Sequence, residues 1–280
     1  MSTPLTGSVP PDHPSRQPGP NVETASAVAR GEIGESTLVT TLETVRAADS
    51  PVLQEPVLTV EGLNIVYEVG GGVHAVKDAS FTLRRGEILG LAGESGCGKT
   101  TLAYGLNQLH RPPARIVSGS VTFHDRDEGT DVDVLGLEGE RLRAFRWSKV
   151  AMVFQGAMNA LNPVLSVRTQ LGDVLTTHRP QMDREERRRR SEELLELVGV
   201  ERRRIDAYAH ELSGGMRQRV MIAMALALDP QLMIMDEPTT ALDVVVQREI
   251  LQEVLRLRQE LGFAVVFITH DLPMLLEISD

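Results

Sequence analysis

The sequence predicts an α/β fold with a mostly parallel core sheet, an antiparallel β layer ahead of it and a helical insertion. Three observations carry this. Short unbroken apolar runs at 87–92, 150–154, 232–235 and 263–268 have the character of parallel strands buried on both faces. Ahead of them, 57–67 and 75–83 alternate apolar and polar residues on either side of Gly70-Gly71-Gly72, as a strand pair with one wet face does. Across 137–228 the apolar spacing shifts to three and four residues, the helical period.

In chain order, residues 1–55 are expected to form a disordered tail, because eight of the fifteen prolines fall within the first 56 residues among much Ser, Thr and Gly. Within it, 36–48 reads as solvated linker rather than a short amphipathic helix, and the opening residues do not read as a basic-then-apolar signal peptide. One domain then spans 56–280, with 137–228 as a helical subdomain inserted in its core. In that insertion Val167, Leu171, Val174 and Leu175 repeat along one helix face. Asp183-Arg184-Glu185-Glu186 reads as a capping-box start for a second helix carrying Leu194, Leu195 and Val198. The arginine run 187–190 is read as a solvated face paired with Glu185, Glu186, Glu192 and Glu193, not as a nucleic-acid site.

Composition narrows the function classes. With 29 basic against 39 acidic residues the net charge is −10, the wrong sign for wrapping nucleic acid. The single cysteine, Cys97, rules out an internal disulfide and a cysteine metal cluster and fits a reducing compartment. The longest apolar stretch, 220–228, is far shorter than the roughly 20 residues of a membrane span.

Two segments carry chemistry that residue types alone explain. Gly93-Glu94-Ser95-Gly96-Cys97-Gly98-Lys99-Thr100-Thr101 fits the phosphate-loop pattern directly after a buried-type strand and directly before the apolar stretch 102–106. Its glycines let backbone N–H groups converge on phosphate oxygens, Lys99 reaches the outer phosphates, and the Thr100 hydroxyl can ligate magnesium. The apolar run 232–235 ends in Asp236, placed to hold the metal, and Glu237, placed to polarise the attacking water.

A third segment, Leu212-Ser213-Gly214-Gly215-Met216-Arg217-Gln218-Arg219, starts a helix at a Ser cap and a glycine-rich first turn, a second anion site in plain physics. With it the sequence resembles the nucleotide-binding domain of ATP-binding cassette (ABC) proteins, a P-loop NTPase fold. Other landmarks match in order over about 58–280. Gln155 is similar to the glutamine that senses magnesium and the attacking water. His270 is similar to the switch histidine that holds the γ-phosphate, 241–243 resembles the D-loop, and Tyr67 stands where an aromatic ring stacks on adenine. The resemblance implies that Ser213, Gly214 and Gly215 bind the γ-phosphate of ATP held by a second subunit. Met216 stands in place of the usual glutamine, a departure expected to be tolerated because Ser213 and the glycine amides make the contacts.

The wording of 154–163 and 237–247 is similar to ATPases of dipeptide, oligopeptide and nickel importers. That implies an ATP- and magnesium-dependent ATPase, peripheral on the cytoplasmic face of the membrane. It also implies two permease subunits, a second ABC ATPase subunit in a homo- or heterodimer, and an extracytoplasmic solute-binding protein acting indirectly. The rival readings are a soluble ABC ATPase without a transport role and a truncated ATP-binding regulatory module without turnover. Because relatives continue beyond the switch histidine, the sequence to Asp280 is expected to be a fragment or a truncated product.

Overall fold

The computed structural model describes residues 42–45, 55–68, 72–271 and 273–275. Two sheets organise them. An antiparallel sheet runs β3 (Val73–Arg84), β2 (Pro56–Tyr67), β5 (Ala114–Asp125), β6 (Thr130–Asp133). The core sheet runs β1 (Leu42–Val45), β4 (Ile88–Ala92), β9 (Ala264–Thr269), β8 (Leu232–Asp236), β7 (Val150–Val153), and its last four strands are parallel.

The parallel strands are the four apolar runs of the sequence, and each is buried on both faces because its alternate residues point to opposite layers. On one side Leu89, Leu91, Ile234, Val266 and Ile268 pack with Leu102, Leu106 and the inner face of the antiparallel sheet. On the other Met233, Met235, Val265 and Phe267 pack with Ile222, Ile250, Val254 and Leu257. Helix α1 (Lys99–Leu106) lies in the first layer, and α5 (Gly214–Ala225) and α6 (Val244–Leu261) lie in the second.

The helical insertion contains α3 (Val167–His178) and α4 (Arg184–Leu197). Val167, Leu171 and Leu175 are buried, as their spacing predicts, while Val174 is half-buried. The capping box is formed: the Asp183 carboxylate accepts from the Glu185 and Glu186 amides, and Glu186 accepts from the Asp183 amide at 2.8 Å. Arg188 pairs with Glu192 at 2.9 Å, as a solvated charged face predicts, but Arg190 turns to Asp229 at 2.5 Å with Glu193 only at 3.9 Å, and Arg187 donates to Met182 O at 2.7 Å, so part of the run ties α4 to its surroundings.

Three features differ from the sequence reading. Leu42–Val45, assigned to the disordered tail, forms β1, antiparallel to β4. The physical reason is the sheet edge: β4 would otherwise present a row of unpaired backbone groups. The rest of the expected tail lies outside the described residues. Strands β5 and β6 went unassigned because β5 carries Ser118-Gly119-Ser120 in its middle, which breaks the apolar alternation; pairing with β2 overrides that local signal. The strand expected at 150–154 forms β7, after α2 (Gly139–Ser148), and belongs to the core sheet, so the bounds 137–228 given to the helical insertion take in part of the core.

A buried polar chain joins the two sheets. Gln231, just ahead of β8, accepts from Arg85 Nη1 at 2.7 Å and donates to Asp125 Oδ1 at 2.8 Å, and Lys149 Nζ stands 2.7 Å from Asp125 Oδ2. Burial alone would raise the Asp125 carboxyl, but hydrogen bonds from Lys149 and Gln231 hold it below its ordinary value. Gln231→Leu removes the middle of the chain and takes one buried partner from each of Arg85 and Asp125, which keep the His124 carbonyl and Lys149, so a stability loss of about 1–3 kcal/mol is expected. Urea unfolding measures it; a variant that unfolds at the unmodified midpoint contradicts the role given to Gln231.

Candidate active site

Four parallel strands deliver their functional residues to the same edge, outside the carboxyl ends where α/β sheets bind ligands. The phosphate loop follows β4, Gln155 follows β7, Asp236 ends β8 with Glu237 next to it, and His270 follows β9.

The loop turns through left-handed backbone at Gly96 (φ +83°) and Gly98 (φ +96°), conformations that a side chain disfavours. Gly98 is the N-cap of α1, with no side-chain cap, so the first amides of the helix face an anion unshielded. Lys99 is buried inside the loop, its ammonium donating to the carbonyls of Gly93 at 2.7 Å and Glu94 at 2.8 Å, with Cys97 Sγ at 3.6 Å. Ser95 is exposed and Thr100 half-buried. The Tyr67 hydroxyl is 3.1 Å from Thr101 Oγ1, which ties the end of β2 to the first turn of α1 and sets the ring beside the loop.

Asp236 is 1% exposed, and neither carboxylate oxygen completes a hydrogen bond. Burial pushes this carboxyl above its ordinary value; the nearby Thr100 hydroxyl and the Lys99 charge pull it down, and the Glu237 charge adds to the rise. A buried carboxylate with both oxygens unspent beside a hydroxyl is a donor set for a hard divalent cation. Among the described residues no group of three or more His, Cys, Asp or Glu is arranged to hold a metal ion by itself. Asp236 and Thr100 therefore suit magnesium, which takes few protein ligands and completes its shell with phosphate and water oxygens.

Glu237 is held in the left-handed region (φ +46°), a costly conformation for this residue, with its amide donating to Ile268 O at 2.9 Å. Three donors meet on its side chain. Gln155 Nε2 reaches Oε2 at 2.7 Å, Thr240 Oγ1 reaches the same oxygen at 3.1 Å, and His270 Nδ1 is 3.1 Å from Oε1. Burial would raise this carboxyl, yet the bonds from His270 and Thr240, the His270 charge and the Gln155 bond together keep it below its ordinary value. Sequence reasoning picked out Gln155, Glu237 and His270 separately and missed Thr240, whose only signal was a hydroxyl three residues after the acid.

Ser213 caps α5, accepting from the Met216 amide at 3.2 Å. Gly214 and Gly215 form the first turn, and a Cβ on Gly215 would come within 2.7 Å of the Val246 side chain. Met216 packs against the core, where an apolar side chain suits the position. No hydrogen bond or ion pair joins the Ser213 segment to the phosphate loop among the described residues, so the chain alone does not unite its two anion sites.

A family model described as ABC transporter matches residues 76–240, more than half of the chain. Of similar curated proteins, a putative peptide import ATP-binding protein of Brucella abortus (strain 2308) is 44% identical over 228 residues, 80% of this chain and 67% of that protein. The oligopeptide transport ATP-binding protein OppD of Lactococcus lactis subsp. cremoris (strain SK11) is 39% identical over 231 residues, 81% of this chain and 66% of its own. The fold is similar to the dimeric ATP-binding cassette MJ0796 in a post-hydrolysis state with ADP and Pi, with TM-score 0.65, 30% identity, and coverage of 78% of this chain and 89% of that one. It is also similar to cbiO1 of Clostridium perfringens, part of the cbiONQ transporter complex, with TM-score 0.67, 29% identity, and coverage of 81% and 83%.

Proposed function

This chain belongs to the ABC transporter family, and from that premise we propose that it is the ATP-binding and ATP-hydrolysing subunit of a peptide-class importer. The observation that carries the reading is the meeting, at one sheet edge, of the phosphate loop, the unspent Asp236 carboxylate and Glu237. ATP binds with its phosphates in the cradle of residues 93–101, where Lys99 exchanges loop carbonyls for phosphate oxygens and Tyr67 faces the adenine. Thr100 and Asp236, with Gln155 beside them, would hold magnesium, which would supply positive charge to the phosphates. Glu237 takes a proton from the attacking water as it adds to the γ-phosphorus, while His270 steadies the γ-phosphate and orients the water. The products are ADP and phosphate.

The separation of Ser213 from the loop fits a composite site in which Ser213, Gly214 and Gly215 of one cassette serve ATP held by another. The dimeric cassette among the similar structures supports this arrangement. The partner is a second cassette, identical or related. The names of the relatives support a peptide or related small solute; its delivery by an extracytoplasmic binding protein and its passage through two permease subunits are part of the same proposal. Among the described residues no helix is long and apolar enough to cross a membrane. In this reading the chain is a peripheral subunit that works on the cytoplasmic face through the permeases, in line with the import ATP-binding proteins it is similar to. We place the permease contact on the helical insertion, together with the loop after Gln155. A groove of about 770 Å³ between α3 and α4 is lined there by Arg168, Thr169, Arg184, Arg187, Arg188 and Arg189, among others.

Co-expression with a permease pair of the peptide-import class tests the proposal. The chain is expected to sediment with membranes only when the permeases are present and to support ATP-dependent uptake of a labelled peptide. A chain that stays in the supernatant, with an ATPase rate indifferent to the permeases, overturns it.

A further inference from the structure

We propose that Thr240 is a positioning residue for hydrolysis: its hydroxyl keeps the Glu237 carboxylate aimed at the water while Gln155 and His270 leave it to act on the nucleotide. The inference rests on Glu237 being the base.

The three donors on Glu237 are not equivalent. Gln155 and His270 come from the ends of other strands, β7 and β9, and both are exposed, the His270 side chain at 62%. Their bonds to the carboxylate depend on where those two strand ends sit when nucleotide is bound. Thr240 belongs to the same turn as Glu237. Its amide donates to Glu237 O at 3.2 Å and its hydroxyl to Glu237 Oε2 at 3.1 Å, so backbone and side chain bridge the same two residues.

That turn is held from several sides. Pro238 and Thr239 are buried, Ala241 also takes a left-handed backbone (φ +73°), and the Thr239 hydroxyl meets Met274 Sδ at 3.6 Å. Gln247 Nε2 donates to the carbonyls of Thr239 at 3.2 Å and Leu242 at 3.1 Å, closing the loop from α6. Thr240 is thus the donor that travels with Glu237. Once Gln155 and His270 turn away, a glutamate without it is free to leave its productive rotamer, and small misplacements of a reacting group are costly in rate.

Three variants test this: Thr240→Val keeps the shape and loses the hydroxyl, Thr240→Ser keeps the hydroxyl and loses the methyl, and Thr240→Ala removes both. Val and Ala are expected to lower kcat about tenfold, the scale of one hydrogen bond to a charged group, with KM for ATP, ATP affinity and Tm unchanged. Ser is expected to keep at least half of the rate. The inference is overturned if Val and Ala turn over normally, if Ser falls as far as Val, or if the loss appears in KM. Glu237→Gln, measured in parallel, separates the two failures. An inactive Glu237→Gln beside a fully active Thr240→Val sinks the role of Thr240 alone, whereas an active Glu237→Gln removes the base and this inference with it.

Discussion

Glu237→Gln is expected to lower ATP hydrolysis by about 10²–10⁴-fold, the usual worth of a positioned general base, while ATP affinity changes little. Gln retains the size and planar head of Glu and can still accept a hydrogen bond, so the left-handed backbone at 237 and the Ile268 contact are undisturbed. It cannot take the proton of the attacking water. The phosphate loop and Lys99 come from β4 and α1 and keep their geometry, so nucleotide still binds. The variant should then collect as a closed, ATP-loaded pair of cassettes with magnesium present. Phosphate release and nucleotide titration read the two halves of the prediction, and hydrolysis at the unmodified rate would reject Glu237 as the base.

Adding Ser213→Arg to that variant is expected to abolish the closed pair. Ser213 is exposed and caps α5 through the Met216 amide, so its loss costs the helix only about 1 kcal/mol and the subunit stays folded. An arginine, however, places a long cation where the partner's ATP and magnesium must sit against short glycine backbone. Because the chain alone makes no link between Ser213 and the phosphate loop, each Ser213→Arg subunit should still bind ATP with unmodified affinity. Light scattering with ATP and magnesium separates the outcomes, with the second ATPase subunit included where the natural pair is a heterodimer. Persistence of the closed pair would show that the composite site is wrongly drawn.

What the sequence conveyed about this site followed from how locally each part is encoded. The phosphate loop is a backbone device, written in its glycines and in the strand and helix that flank it, so residues 93–101 were legible as a unit. The parallel strands were legible because burial on both faces leaves an unbroken apolar run. Gln155 and Glu237 could be named one by one, yet their bond spans 82 positions and belongs to the fold, not to any segment. Thr240 escaped because a hydroxyl in a loop is ordinary until the turn folds it back on a carboxylate. Strands β5 and β1 escaped for a related reason: the partners β2 and β4 make them strands, while their own composition argues for turn and tail.

The polar chain through Arg85, Gln231, Asp125 and Lys149 has a mechanical consequence. It fastens the antiparallel sheet to the core sheet at buried, charge-assisted bonds, so the two cannot shear past each other without stranding charges. The two sheets are therefore expected to move as a single block, with the compliance elsewhere. The helical insertion is joined to that block by irregular or tightly turned chain at 154–166 and, on its return, at 206–213. Any rotation of α3 and α4 relative to the sheets is expected to turn about these two straps, with the helices as the lever arm and the strap pair as its axle.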